Sequence, residues 1–302
     1  MPTLILHGGA GRIEEARTGA YERGLATALA AGWAVLERGG EALDAVLAAV
    51  QSMEADPSAF NAGIGSSLTR DGTVECDACL VDGRDGSAGA VALVTRSASP
   101  IRLARAVLER TPHVLLAGVG ADALEEDPVD PDTLVTPHAR AQLERWRARH
   151  AADVGSAAEP TGSATVGAVA LDAAGALAAA TSTGGVIGQW PGRIGDAAVP
   201  GAGTYADGAV GVSCTGKGEA FLRAVTGKAL AERLAAGASP GHALARALDD
   251  VAAMGGSGGL IVALADGQLA WAFDTAHLAL AWRTADAEHV SVTAEPGVTV
   301  RP

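Results

Sequence analysis

Residues 164–185, ATVGAVALDAAGALAAATSTGG, constrain this chain more than any other stretch: two apolar runs joined by a short turn. Each run ends in small hydroxylic residues, without the charges that usually solubilise a strand tip. Thr165 opens the first run and Thr183 closes the second. A hairpin folded about Ala173, Ala174 and Gly175 therefore brings both hydroxyls to one end of a sheet. Two roles share that arrangement: a core hairpin whose threonines serve β-propensity, and a nucleophile beside its helper. By itself the segment supports both equally.

Charge narrows the partners. A formal charge of -13 over 302 residues lacks the clustered Lys and Arg that nucleic acid or an anionic membrane surface would need. No nucleic-acid or membrane partner is expected, and a small-molecule or dipeptide substrate fits better. No run reaches the ~18 apolar residues of a membrane helix. The start MPTLILHGGAG has neither a basic region nor a secretory cleavage site, so a cytoplasmic location is expected. Cys76, Cys79 and Cys214 imply no disulfide framework. The CxxC at Cys76 lies in the strand-like VECDACLV with no second ligand pair, which favours buried structural thiols, both on one face.

Along the chain, residues 3–6 read as a buried strand entering the glycine-rich HGGAG, followed by helices over 20–36 and 42–53. Strands are expected at 73–81 and 89–94, a helix at 100–109, a short strand at 114–117 and a polar helix at 137–152. Residues 153–163, DVGSAAEPTGS, carry no apolar anchor and read as an exposed, mobile linker that abuts Thr165. Beyond the hairpin, a strand at 209–214, helices at 219–234 and 241–254, and strands at 260–265, 269–273 and 290–293 are expected. Each half then supplies a β-layer and a pair of helices. The fold class is α+β, a four-layer αββα sandwich in a single domain spanning 1–302.

Three motifs look chemical and lack their context. GVSCTGKG at 211–218 has Gly218 where a P-loop needs a magnesium-binding hydroxyl; what it keeps is backbone N–H groups able to hold an anion. GGSGG at 255–259 has a helix before it and a strand after it, the reverse of a nucleophile elbow, and reads as a tight turn. The seven histidines are scattered, His7 included, and read as surface or capping residues.

Chemistry appears if the chain is cut between Ala164 and Thr165. Thr165 then gains a free α-amine with an ordinary pKa of roughly 7.7–8.0, so nucleophile and base occupy one residue. Several blocks carry a resemblance in the same order: HGGAG at His7, FNAGIGSSLTRDGTVECDA at Phe60, TVGAVALDAAG at Thr165, TSTGG at Thr181, GRIGD at Gly192, GAGTYA at Gly201 and SCTGKGE at Ser213. Over nearly its whole length the chain resembles the plant-type asparaginases and isoaspartyl peptidases, threonine-type N-terminal nucleophile hydrolases that mature by self-cleavage.

That resemblance implies an amidohydrolase of isoaspartyl dipeptides and L-asparagine, cut into an α-subunit 1–164 (with the linker at 153–164) and a β-subunit 165–302, assembled as a dimer of cleaved pairs. It implies Thr165 as nucleophile, with Thr183 tuning its hydroxyl. Arg193 would grip the substrate α-carboxylate and Asp196 its α-ammonium, where the bland alternative is a surface ion pair between the two. Thr215 and Gly216 would form the oxyanion hole. Asn61 would assist self-cleavage, where the bland alternative is an Asx-turn. No cofactor is implied for catalysis, and a structural sodium would sit on backbone oxygens of Met53, Glu54, Phe60, Ala62 and Ile64.

The chain departs from the pattern twice. MEADPSAFNAG is one residue longer than usual in the sodium segment, and Ala164 stands where Gly or Asp usually precedes the nucleophile. Two other functions share many of these features. A glycosylasparaginase has the same nucleophile on a larger substrate, and an uncut, non-catalytic scaffold would keep the fold.

Overall fold

The computed structural model describes residues 1–150 and 165–301, so the expected linker and Ala164 lie outside the described residues. Strand β1 (Thr3–Gly11) leads to helices α1 (Glu15–Glu37) and α2 (Ala42–Glu54). Then come β2 (Cys76–Asp82), β3 (Ala88–Val94), α3 (Pro100–Arg110), β4 (Leu115–Ala117), α4 (Val119–Asp122) and α5 (Pro137–Arg149). The opening hairpin is β5 (Val166–Leu171) and β6 (Leu177–Thr183), followed by β7 (Thr204–Ala206) and β8 (Val210–Gly216). Helices α6 (Gly218–Ala224), α7 (Thr226–Ala235) and α8 (Pro240–Ala253) come next. The described chain closes with β9 (Gly258–Leu264), β10 (Leu269–Phe273), β11 (His277–Thr284), β12 (Glu288–Thr293) and β13 (Gly297–Arg301).

The strands form an eight-stranded sheet in the order β12-β11-β1-β5-β6-β2-β3-β4 and a five-stranded sheet in the order β13-β10-β9-β8-β7. The two sheets pack face to face; α1, α2 and α3 cover the larger one, while α6, α7 and α8 cover the smaller. This is the expected αββα sandwich. Three apolar clusters fill its three interfaces. Period-two alternation sorts β5 between them: Val166, Ala168 and Ala170 face the helices, whereas Val169 and Leu171 face the second sheet. The hairpin turns as its sequence indicates, with Gly175 at φ 85 and the Asp172 carboxylate accepting the N–H groups of Ala174 and Ala176.

The structure corrects several expectations. The two halves do not each supply a layer, because β1 to β4 share the larger sheet with β5, β6, β11 and β12, and the smaller sheet comes wholly from β7 to β10 and β13. β1 is buried and needs hydrogen-bonding partners on both edges; it finds them in β11 and β5, far along the chain. The helix expected over 219–234 breaks at Val225, whose φ of 47 ends α6 and starts α7. Strands β7, β11 and β13 lie outside the expected elements: β7 has three residues, β11 is apolar and buried on both faces, and β13 is a five-residue, mostly exposed strand.

Cys76 and Cys79 are free and buried, but on opposite faces: Cys76 packs under the helices and Cys79 between the sheets. With side chains alternating every residue, an odd offset of three puts the two on opposite faces. His7 is neither on the surface nor capping a helix. It is fully buried between the sheets, its Nε2 2.9 Å from Ser213 Oγ, which in turn lies 2.7 Å from Thr181 Oγ1. Burial pulls its pKa down to about 3, against a hydrogen bond with the Thr165 backbone, so the ring is neutral.

This polar seam sits where small residues let the sheets approach. A Cβ added at Gly167 would lie 2.0 Å from Ser213 Oγ and 2.4 Å from His7 Nε2. Gly167→Ala is therefore expected to lower stability by about 1–3 kcal/mol, read as a lowered urea or thermal midpoint. An unchanged midpoint would mean that the sheets separate freely.

Candidate active site

The site is built at one end of the inter-sheet gap. Val166 pairs with Ser182 in the β5–β6 register, which leaves Thr165 and Thr183 side by side on the gap face. Both are buried, and the Thr165 hydroxyl donates to Thr183 Oγ1 at 3.2 Å. Thr183 Oγ1 also accepts the Gly185 N–H at 3.0 Å, which fixes it beside Thr165 and leaves its own O–H free to donate. Around this pair a small cleft is lined by Thr165, Thr183, Gly185, Val186, Arg193, Gly195, Asp196 and Gly216. Larger surface hollows beside α3 and beside Tyr205 contain none of the expected site residues.

Five of the expected residues thus meet in one cleft: Thr165, Thr183, Arg193, Asp196 and Gly216. Gly216 ends β8 with φ 151, and a Cβ there would lie 2.4 Å from Ser257 O. Thr215 is fully buried just behind it, outside the cleft lining, and its Oγ1 accepts the Ala10 N–H at 3.2 Å; the HGGAG segment, expected as a loop, is the end of β1 and is tied to β8 there. Asn61 does not line the cleft. Its Nδ2 donates to Ser67 Oγ at 2.8 Å, its carbonyl accepts the Gly184 N–H at 3.0 Å, and its buried Oδ1 has no hydrogen-bond partner. It reaches Thr183 through Gly184.

Arg193 and Asp196 do not form the surface ion pair that was the bland alternative. The Arg193 side chain, 14% exposed, donates to Glu219 through Nε at 2.9 Å and Nη2 at 3.1 Å. Burial opposes the charge on Glu219, yet the guanidinium holds its carboxyl below the ordinary value. Asp196 is buried with Oδ2 lacking any hydrogen-bond partner. Burial pushes its pKa up to about 7 against its own N–H and Arg193, with Glu219 and Asp77 adding to the rise. The cleft thus holds a buried carboxyl with one oxygen unpartnered, a group that a cation would satisfy.

The sodium segment divides into two parts. Glu54 O accepts the Ile64 N–H and Met53 O the Asp56 N–H, both at 3.1 Å, which closes the loop on itself and leaves the Glu54 carbonyl a second lone pair. Together with the carbonyls of Phe60, Ala62 and Ile64 these are hard donors that suit an alkali cation. Within the same segment Arg17 Nη2 donates to the carbonyls of Ser58 and Ala59 at 3.2 and 3.0 Å. The Glu54 side chain has a separate task that the sequence did not reveal. Fully buried, it accepts from Ile101 N, Ser99 Oγ and Ser182 Oγ, and burial pushes its pKa up to about 7.

Glu219, Asp77, Gly185, Val186 and Gly195 were also absent from the sequence expectation. Glu219 closes the SCTGKGE block and Asp77 is an acid inside an apolar strand, so both had a signal. The others are recognisable only from the cleft.

Comparison with known proteins gives the family. The model of a family described as asparaginase matches residues 1–292. The chain belongs to the asparaginase family. An isoaspartyl peptidase of Salmonella typhimurium is 42% identical over 298 residues, covering 92% of this chain and 94% of the relative. An isoaspartyl peptidase of Escherichia coli is 41% identical over 317 residues, covering 98% of each. An isoaspartyl peptidase/L-asparaginase of Xenopus laevis is 38% identical over 297 residues, covering 96% and 95%. Membership makes the chain a hydrolase, and the asparaginase fold is the sandwich described above. No helix among the described residues is long and apolar enough to cross a membrane.

Proposed function

We propose that this asparaginase-family chain hydrolyses β-aspartyl dipeptides and L-asparagine with Thr165 as its nucleophile, after self-cleavage between Ala164 and Thr165. The observation that carries the reading is the 3.2 Å bond from Thr165 to Thr183 in a cleft shared with Arg193 and Asp196. Cleavage divides the chain into 1–164 and 165–302, and frees an α-amine on the nucleophile itself.

The substrate's α-carboxylate takes Arg193 and its α-ammonium takes Asp196, which sets the side-chain carbonyl over Thr165. The Thr165 α-amine accepts the hydroxyl proton as Oγ1 attacks the carbonyl carbon. Thr215 and the Gly216 N–H stabilise the oxyanion, a kind of donor worth about 10²–10³ in rate. The proton then passes to the leaving amine, and a β-aspartyl ester remains on Thr165. Water, deprotonated by the same amine, adds to that ester and releases aspartate. Thr183 orients the hydroxyl, and Asn61 supports the scission step through Gly184. Carbonyls of Met53, Glu54, Phe60, Ala62 and Ile64 would hold a structural sodium, which would stiffen the loop preceding Asn61. Two cleaved pairs form a dimer in the cytoplasm.

The test incubates the purified chain separately with a β-aspartyl dipeptide and with L-asparagine, and follows aspartate release. Release from the dipeptide is the expected result. Failure with both substrates would sink the reading.

A further inference from the structure

Asp77 joins two irregularities. In the β2–β3 ladder Cys76 pairs with Val94 and Ala78 with Val91, so Ala92 and Leu93 together oppose the single residue Asp77. That is a β-bulge, and Leu93 takes it with φ 56, a left-handed conformation uncommon for a residue with a side chain. Such conformations persist only where surrounding contacts hold them, and they gather at functional sites. Here the holding contact is Asp77, whose Oδ1 accepts the Leu93 N–H at 3.0 Å.

Its other oxygen faces the active site. Asp77 Oδ2 accepts the Gly195 N–H at 3.2 Å, and Gly195 lies between Arg193 and Asp196. The guanidinium packs against that glycine so closely that a Cβ there would lie 2.9 Å from Arg193 Nη1. At the outer end of the same segment, Glu75 Oε2 accepts the Gly192 N–H at 2.8 Å. Two acids two residues apart on one stretch of chain therefore hold the two glycine N–H groups that flank Arg193 and Ile194. Asp77 is 3% exposed and also stands opposite Thr183 across the β2–β6 ladder, so its position is set by the strand that carries the nucleophile's partner.

We propose that Asp77, assisted by Glu75, is the positioning residue of the substrate grip: it locks the segment 192–196 to the nucleophile's sheet so that Arg193 and Asp196 face the cleft together. The inference rests on the assignment of Arg193 and Asp196 made above. A carboxylate suits the task because two N–H donors converge on two oxygens. Asparagine offers one acceptor oxygen and turns an NH₂ toward the other donor. Either the bulge or the grip then loses its anchor.

The test is the Kd for L-aspartate, which carries both groups that the grip recognises, together with KM and kcat for a β-aspartyl dipeptide. For Asp77→Asn the expected result is a rise of at least tenfold in both Kd and KM, with kcat at saturation within about threefold of wild type and the chain still cut before Thr165. A loss confined to kcat, or a Kd within twofold, overturns the proposal. Leu93→Gly keeps the carboxylate and is expected to leave Kd unchanged. Glu75→Ala removes the half-buried outer anchor without touching the core, and a Kd rise of threefold or more is expected. If Asp77→Asn does not fold, Glu75→Ala decides alone, and an unchanged Kd overturns the proposal. Wild-type protein that binds L-aspartate but turns over no dipeptide refutes the proposed function only. Wild-type protein that fails to bind L-aspartate refutes both.

Discussion

Replacing Thr165 by alanine is expected to abolish both scission of the chain and hydrolysis of β-aspartyl substrate, with a fall in kcat of at least about 10³-fold. In serine hydrolases, removing the nucleophile alone costs about as much as removing the whole catalytic set, because the groups act as one unit. Here the coupling is tighter, since the same residue supplies hydroxyl and amine. Without its hydroxyl the chain has no group to attack the preceding carbonyl, so the amine that should act as base is never released. Intact-mass measurement gives two fragments for the wild-type chain and one for Thr165→Ala. Survival of either activity in that variant would remove Thr165 from the mechanism. Ala164 sharpens the experiment. An alanine before the scissile bond has less access to strained backbone angles than glycine, so cleavage is expected to be slow and is best followed over time.

The second large effect is expected at Asp196. Truncating one member of a buried charge pair costs roughly 2–5 kcal/mol, or about 30-fold to more than 1,000-fold in affinity. Asp196→Asn keeps the shape and removes the charge, so the loss should fall on KM while kcat changes little. The pH profile checks the cause. Burial raises the Asp196 pKa to about 7, so below that pH the carboxyl is protonated and holds no ammonium. The α-amine of a free Thr165 must also be deprotonated, with an ordinary pKa of roughly 7.7–8.0. Both requirements fail as pH falls, and log kcat/KM should drop with a slope approaching two below about pH 7. In Asp196→Asn one of them is gone, and the slope should fall to one. An unaltered slope would mean that Asp196 does not titrate in the free enzyme.

Much of this protein is legible in its sequence because the informative signals are local. Period-two apolar runs and a turn at Ala173 to Gly175 define the hairpin, and its length places Thr165 opposite Thr183 before any tertiary contact is considered. Gly192 to Asp196 announces its chemistry by residue type, and Gly216 by its strand–loop–helix setting. Signals that depend on distant partners were misjudged. His7 looked like a surface residue because nothing near it in the chain reveals Ser213 and Thr181, which satisfy it from other strands. Cys76 and Cys79 are a different case, because an odd offset along one strand is itself a local signal and puts them on opposite faces.

Local patterns thus identify the four-layer architecture, the resemblance that gives the family, the candidate nucleophile and the residue types of the proposed substrate grip. Each follows from patterns within about ten residues or from the order of such patterns. Only the tertiary structure decided how the layers share strands and which carboxylate holds which donor. It wove β1 between β11 and β5, gave Arg193 to Glu219 and left Asp196 buried with an oxygen unpartnered. It also turned Asp77 into a link between a strained bulge and the grip. The physical reason is that burial and hydrogen-bond satisfaction belong to the packed chain. A carboxylate's charge and reach depend on groups brought to it from 16 to 128 residues away along the chain, and no local pattern records them.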